Sequence, residues 1–280
     1  MATFVHARPV RRYSLFLSCL TIIQSIGVDW PWSRTPACGG DTRKTGPMKP
    51  STPARECSKL NRSRDGGAPA RFTAAATHLH LVAAARRPLP RLADALAGLG
   101  PVWFPPRPRN GGPAWVLARA VVGQQLSAAA AATIWRRVQE AAGSGHAATL
   151  AFFQPGRLDD LRACGVSGAK ARTLLAIGSL CRSGELEHTL LKKLGPEARR
   201  EVLLALPGVG PWTCDMLEIF YFRSPDIWPT GDAAAMGMYR AFLGDGKRAG
   251  AVLADAGPFR PYRSLLSLAL WRMVSARTGR

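Results

Sequence analysis

From Phe72 onward apolar residues recur at helical spacing, with polar residues on the intervening faces. This predicts helices over 72–86 and 89–99, divided by Pro88, which a helix interior does not tolerate. A Pro/Gly/Arg-rich loop follows over 100–113. The pattern resumes over 115–122, stops at Gly123 and returns over 128–141, where Ile134, Trp135 and Val138 share a face. Ser127 is suited to cap that helix. Residues 197–205 are good helix formers, ended by Pro207-Gly208. The run 212–222 is apolar on nearly every side, which predicts a buried central helix. No stretch alternates as paired strands would. An all-α fold is expected.

Between the last two of these helices stands Leu206-Pro207-Gly208-Val209-Gly210. Two glycines in so short a turn let backbone N–H groups face outward with no Cβ in the way. Those groups sit at a helix N-terminus, where a phosphate is favoured. Eleven helical residues carry the chain roughly 16 Å away. The Pro-containing return over 223–231 spans roughly 26–30 Å when extended, so Asp232 can come back to the hairpin. A carboxylate beside a bound phosphate is poor chemistry for binding alone. It makes sense if the acid acts on the nucleotide; otherwise Asp232 only caps the helix that opens at Ala233.

Charge changes the picture. The 280 residues hold 38 Lys+Arg against 18 Asp+Glu, a net +20 with a pI near 11.0. A polyanionic partner is expected, the plain alternative being a solvated basic face in a chain rich in Ala, Arg, Gly and Pro. Residues 1–71 carry 12 basic and 4 acidic groups, so most of the excess lies beyond them. Residues 13–28 are mostly apolar and follow Arg8, Arg11 and Arg12, as in a signal or transit segment, but are too short and polar for a membrane span. Residues 31–67 have a disordered composition. Among the six cysteines, Cys19, Cys38, Cys57, Cys164, Cys181 and Cys214, no pair has the spacing of a metal knuckle. Cys214 reads as core, and the pattern suits a reducing compartment. No catalytic metal is expected.

The LPGVG hairpin, the apolar helix, the Pro-containing return and Asp232 resemble the helix-hairpin-helix/Gly-Pro-Asp superfamily of DNA glycosylases. The tripeptide before the acid is Pro229-Thr230-Gly231, so the Gly-Pro order is not literal. The chain looks most like the AlkA-type 3-methyladenine DNA glycosylases in their short form. GQQLS at 123–127, GVSGAKARTL at 165–174 and PYRSLLSLALWR at 261–272 match in the expected order. The resemblance implies a domain over 71–280, with two helical subdomains flanking a DNA cleft. The basic residues 1–70 would be a disordered extension without function, since export would separate the enzyme from DNA, and Met48 is a candidate internal start.

The resemblance also implies roles. A base must be flipped out before it is excised. Gln125, or alternatively Leu126, would fill the gap as a wedge, unless Gln124 and Gln125 merely tie helix ends together. Asp232 would stabilise the cationic sugar and orient water. Trp212 stands where bifunctional relatives carry the Schiff-base lysine, so the enzyme would be monofunctional, releasing 3-methyladenine and 7-methylguanine and leaving an abasic site. Trp212 and Trp271 would line the base pocket, with Met216 where AlkA-type enzymes place a tyrosine; Trp103, Trp115 and Trp228 are further candidates. Leu206, Gly208, Val209 and Gly210 would hold phosphate, chiefly through the N–H groups of the two glycines. Lys170, in a looser hairpin capped by Ser167, would reach another phosphate. No iron–sulfur cluster of the endonuclease III kind is expected, and the hairpin carbonyls are a place for a monovalent cation. The expected partner is damaged double-stranded DNA, bound by a monomer in the cytoplasm at the nucleoid, with no membrane. The rival readings are a bifunctional oxidised-base glycosylase/lyase and a non-catalytic helix-hairpin-helix DNA-binding protein.

Overall fold

The computed structural model describes residues 73–107, 111–143, 145–243 and 251–278. The expected extension, with residues 13–28, Met48, Cys19, Cys38 and Cys57, lies outside them. Thr73 starts the first helix, its Oγ1 accepting from the Ala76 N–H at 3.2 Å. Helices α1 (Ala74–Arg86) and α2 (Pro90–Leu99) are separated by the turn at Pro88, as the sequence predicts. There follow α3 (Gly112–Gly123), α4 (Ala128–Ala142), α5 (His146–Phe152), α6 (Leu158–Ala163), α7 (Gly168–Arg182), α8 (His188–Lys193) and α9 (Pro196–Leu204). Then come α10 (Pro211–Leu217), α11 (Ala233–Leu243), the short α12 (Ala251–Ala254) and α13 (Arg263–Thr278). No strand occurs among the described residues. Ser127 caps α4 as expected, accepting from the Ala130 N–H at 3.3 Å. Ser167 occupies the N-cap of α7, but its hydroxyl makes no capping bond.

Two apolar cores form. One gathers Leu92 and Leu96 of α2, Tyr239 of α11 and Leu266, Leu270 and Trp271 of α13. The other gathers Trp115 and Leu117 of α3, Leu161 of α6 and Leu174 and Ile177 of α7. Helix α10 and the π-helical turn that continues it, Glu218–Phe222, serve both. Met216, Ile219 and Phe220 face the first core; Cys214, Leu217 and Tyr221 face the second. That is why this segment is apolar all round. The two cores are the two halves between which a cleft can open.

The charged residues of the central segment are each paired. Arg199 of α9 grips the buried Glu218 with two bonds, Nε to Oε1 at 2.6 Å and Nη2 to Oε2 at 2.8 Å. The Ser224 hydroxyl donates to the same carboxylate. Arg200 pairs with Asp215 at 2.6 Å. The segment ends at Arg223, in the left-handed region at φ +58, with the Ser224 N–H closing onto the Glu218 carbonyl at 3.0 Å. The chain then turns back toward α10.

Candidate active site

Asp232 comes back as the chain-length argument requires. It is 3% exposed and stands at the start of α11. Three N–H donors converge on its carboxylate. Oδ1 accepts from the Ala235 main chain at 2.7 Å and from Trp271 Nε1 at 2.8 Å; Oδ2 accepts from Trp212 Nε1 at 2.9 Å. The Ala235 bond makes Asp232 the cap of α11. Capping alone, however, uses one oxygen once. The two indoles reach it from α10 and α13, two separate helices, and together fix the orientation of the carboxylate.

Beside it lies a cleft of about 590 Å³, lined by Gln124 and Gln125, by residues 208–213 of the hairpin and α10, and by residues 231–234. The hairpin walls come from the α3–α9 half, and the acid from the other. The hairpin is shaped by its neighbours. Leu206 and Val209 are buried in the second core and anchor it. Their N–H groups donate to the carbonyls of Leu203 and Leu206, at 3.1 and 3.0 Å, so they serve the turn rather than a phosphate. This departs from the expectation for both residues. Gly208 is left-handed at φ +82, and a Cβ there would lie 2.2 Å from Thr173 Oγ1. Thr173 donates that hydroxyl to the Pro207 carbonyl at 2.9 Å. Its role had no signature in the sequence, being one threonine on an apolar helix face.

The carbonyls of the turn are largely engaged. Pro207 accepts from Thr173, Gly208 from Gln124 Nε2 at 3.0 Å, and Gly210 from the N–H groups of Thr213 and Cys214.

The loop 124–126 is bound to the hairpin. Gln124 Nε2 reaches both the Gly208 carbonyl and Thr213 Oγ1 at 3.0 Å, so this glutamine ties the two segments together. Gln125 is exposed, lines the cleft and takes a left-handed backbone at φ +55. Leu126 is half-buried, its N–H on the Gly123 carbonyl at 3.2 Å. Lys170 does not stand free at the surface. Its ammonium donates to the carbonyls of Val122 at 2.9 Å and Gln124 at 2.6 Å, and burial lowers its pKa.

The aromatic expectations divide. Trp212 is half-buried and lines the cleft. Trp271 is buried behind Asp232, stacked on Phe220 at 5.5 Å, and does not line the cleft. Met216 is fully buried in the first core and does not line the cleft, because its side of α10 faces that core rather than the opening. Trp115 and Trp228 are core residues, and Trp103 packs against the first core beside Phe104.

A buried helix, a tight glycine hairpin, a second helix and an acid returned to the hairpin define a helix-hairpin-helix protein of the glycosylase fold. Solved structures agree. A DNA-3-methyladenine glycosidase from Bacillus halodurans, 24% identical, covers 75% of this chain and 94% of its own with a TM-score of 0.57. A Schizosaccharomyces pombe 3-methyladenine DNA glycosylase in complex with abasic DNA, 27% identical, covers 71% and 96%, also with a TM-score of 0.57. In sequence, DNA-3-methyladenine glycosylase 1 of S. pombe is 32% identical over 125 residues, 44% of this chain and 55% of that protein. A putative DNA-3-methyladenine glycosylase of Bacillus subtilis is 29% identical over 163 residues, 56% and 57%. The chain thus spans about half the length of these relatives. No family model matches. The chain is thus similar, over about half its length in sequence and over most of its described residues in fold, to 3-methyladenine DNA glycosylases.

Proposed function

We propose that the chain is a monofunctional DNA glycosylase that flips alkylated purines, 3-methyladenine and 7-methylguanine, into the cleft and hydrolyses their N-glycosidic bond. The observation that carries this reading is the Asp232 carboxylate, held by two indole N–H groups and one main-chain N–H at the edge of the cleft. Cleaving the bond builds positive charge on the sugar, and a carboxylate fixed before the reaction stabilises it without reorganising. The same group can orient the water that completes the displacement. An alkylated purine already carries positive charge, which weakens the bond to be broken and favours stacking on an electron-rich face such as Trp212. One carboxylate is then enough.

The N–H groups of Gly208 and Gly210 would hold the backbone phosphate, positioning the duplex without reading its sequence. Gln125, exposed and lining the cleft, would enter the gap left by the flipped base, with Leu126 as the alternative wedge. None of the residues lining the cleft is a lysine, and the position after Pro211 is Trp212. This favours base release over strand cleavage through a Schiff base. The reading includes double-stranded DNA as partner, a monomer as the working unit and the nucleoid as the place of action. No described helix is long and apolar enough to cross a membrane.

The test is single-turnover base release from methylated duplex DNA by wild type and Asp232→Asn, scoring strand breaks with and without alkali. Release that collapses in the variant, with breaks only after alkali, is the expected result. Breaks without alkali point to the bifunctional reading. Tight binding to abasic DNA with no base release by wild type points to the non-catalytic one.

A further inference from the structure

We infer that Lys170 is a positioning residue of this cleft, clamping the loop 124–126 against the hairpin so that Gln125 is presented at a fixed height. The inference rests on the glycosylase reading above for its catalytic arm, but not for its structural one.

The last carbonyls of a helix have no partner inside it and carry negative partial charge, which favours a cation. At the end of α3 the cation comes from another helix. Lys170, in the first turn of α7, bridges the Val122 carbonyl inside α3 and the Gln124 carbonyl just beyond it. The next residue, Gln125, has a left-handed backbone that is costly for a residue with a Cβ, of the order of 1–2 kcal/mol, and persists only where its surroundings hold it. From the opposite side Gln124 reaches the Gly208 carbonyl and Thr213 Oγ1. The loop is therefore pinned on one flank by α7 and on the other by the hairpin. Gln124, Gln125 and the hairpin all line the cleft, so a loop that shifts changes the opening between wedge and acid. A lysine serving only phosphate would keep its ammonium hydrated. This one is half-buried, with two of its three N–H donors on main-chain carbonyls.

The experiment uses Lys170→Met, which keeps the stem and removes the donors. Three quantities are read: amide hydrogen exchange at residues 124–126 in the free protein, single-turnover base release at saturating enzyme, and the salt dependence of binding to undamaged duplex. The expected result is exchange at least about tenfold faster in the loop and release about 10- to 100-fold slower. Duplex affinity and its salt slope should stay unchanged. Lys170→Arg, which can still donate to both carbonyls, should recover part of the release rate. Weaker binding with a salt slope reduced by about one, and release at saturation intact, would overturn the inference in favour of a phosphate contact. So would loop exchange identical to wild type. If wild type releases no base, the glycosylase reading fails while the exchange arm still decides the clamp. If Lys170→Met does not fold, Gln124→Met cuts the same loop from the hairpin side. It should give the same pattern, and unchanged loop exchange there would count against the clamp.

Discussion

The Trp271 indole donates its N–H to Asp232 Oδ1 at 2.8 Å, 39 residues away in the chain, while its ring stacks on Phe220. One side chain thus belongs to the core and to the acid at once. Trp271→Phe keeps an aromatic ring against Phe220 but deletes the donor. A hydrogen bond to a charged group is worth about 1.5–3 kcal/mol, and in the proposed mechanism it orients the group that would meet developing charge. Single-turnover release should fall about 10- to 100-fold, with duplex affinity unchanged. A release rate equal to wild type would mean that the Ala235 and Trp212 bonds hold the carboxylate by themselves.

The hairpin makes a second prediction. Gly208 has φ +82, and a Cβ there meets Thr173 Oγ1 at 2.2 Å and Cβ at 3.3 Å. Gly208→Ala should destabilise the fold by about 1–2 kcal/mol from the backbone alone, and by more from the clash. It should also weaken duplex binding, because the turn has to move. Adding Thr173→Ala removes the closest atom and should restore part of the stability but not all, since the left-handed backbone remains. Thermal unfolding of both variants measures this. Full recovery in the double variant would show that the clash, and not φ, sets the cost.

What the sequence made legible was mostly local or governed by chain length. The hairpin could be read because only glycine suits Gly208, and the return of Asp232 because the linker is long enough to cover the central helix. Helix ends at Gly123 and Pro207 were legible for similar reasons. Directions of side chains on an all-apolar helix were not. Periodicity separates a buried face from a wet one, and a helix buried on every side offers no such contrast. Hence Met216 could be placed on the right element but in the wrong surroundings. Trp271 was legible as an aromatic near the site, whereas which way its N–H points depends on the packing of α11 against α13. Lys170 was harder still. Its acceptors are carbonyls 46 and 48 residues earlier, and carbonyls are the same in every residue.

The central segment depends on buried charge. Arg199 and Glu218 are 7% and 3% exposed in their side chains, and the guanidinium also lies 4.0 Å over the Phe222 ring. Arg199→Met would leave the Glu218 carboxylate buried with the Ser224 hydroxyl as a donor. Removing one partner of such a pair costs about 3–5 kcal/mol. That corresponds to a Tm lower by roughly 10 °C for a domain of this size. Replacing both partners, Arg199→Met with Glu218→Met, should recover most of the loss, because no charge is then stranded. Calorimetry on the two variants separates the outcomes, and a single variant as stable as wild type would show that water reaches Glu218.

Cys214 carries a prediction about pH. It is fully buried on α10, and burial pushes its thiol up from 9.0 to about 11, against partial relief from Arg200. The folded state therefore holds this proton more tightly than the unfolded chain does. Its contribution to stability is complete below pH 9 and is lost as pH rises from 9 toward 11, by an amount of the order of 2 kcal/mol. Other groups titrate in that range, so the quantity to measure is the difference between wild type and Cys214→Ala in denaturant unfolding at pH 8 and pH 10.5. Wild type should lose more stability over that interval than the variant does. At pH 8 the same burial should leave Cys214 unreactive toward iodoacetamide while the half-buried Cys181 is labelled. Equal labelling of the two would mean that α10 opens often enough to expose its thiol, and the rigid placement of Trp212 two residues before it would then be in doubt.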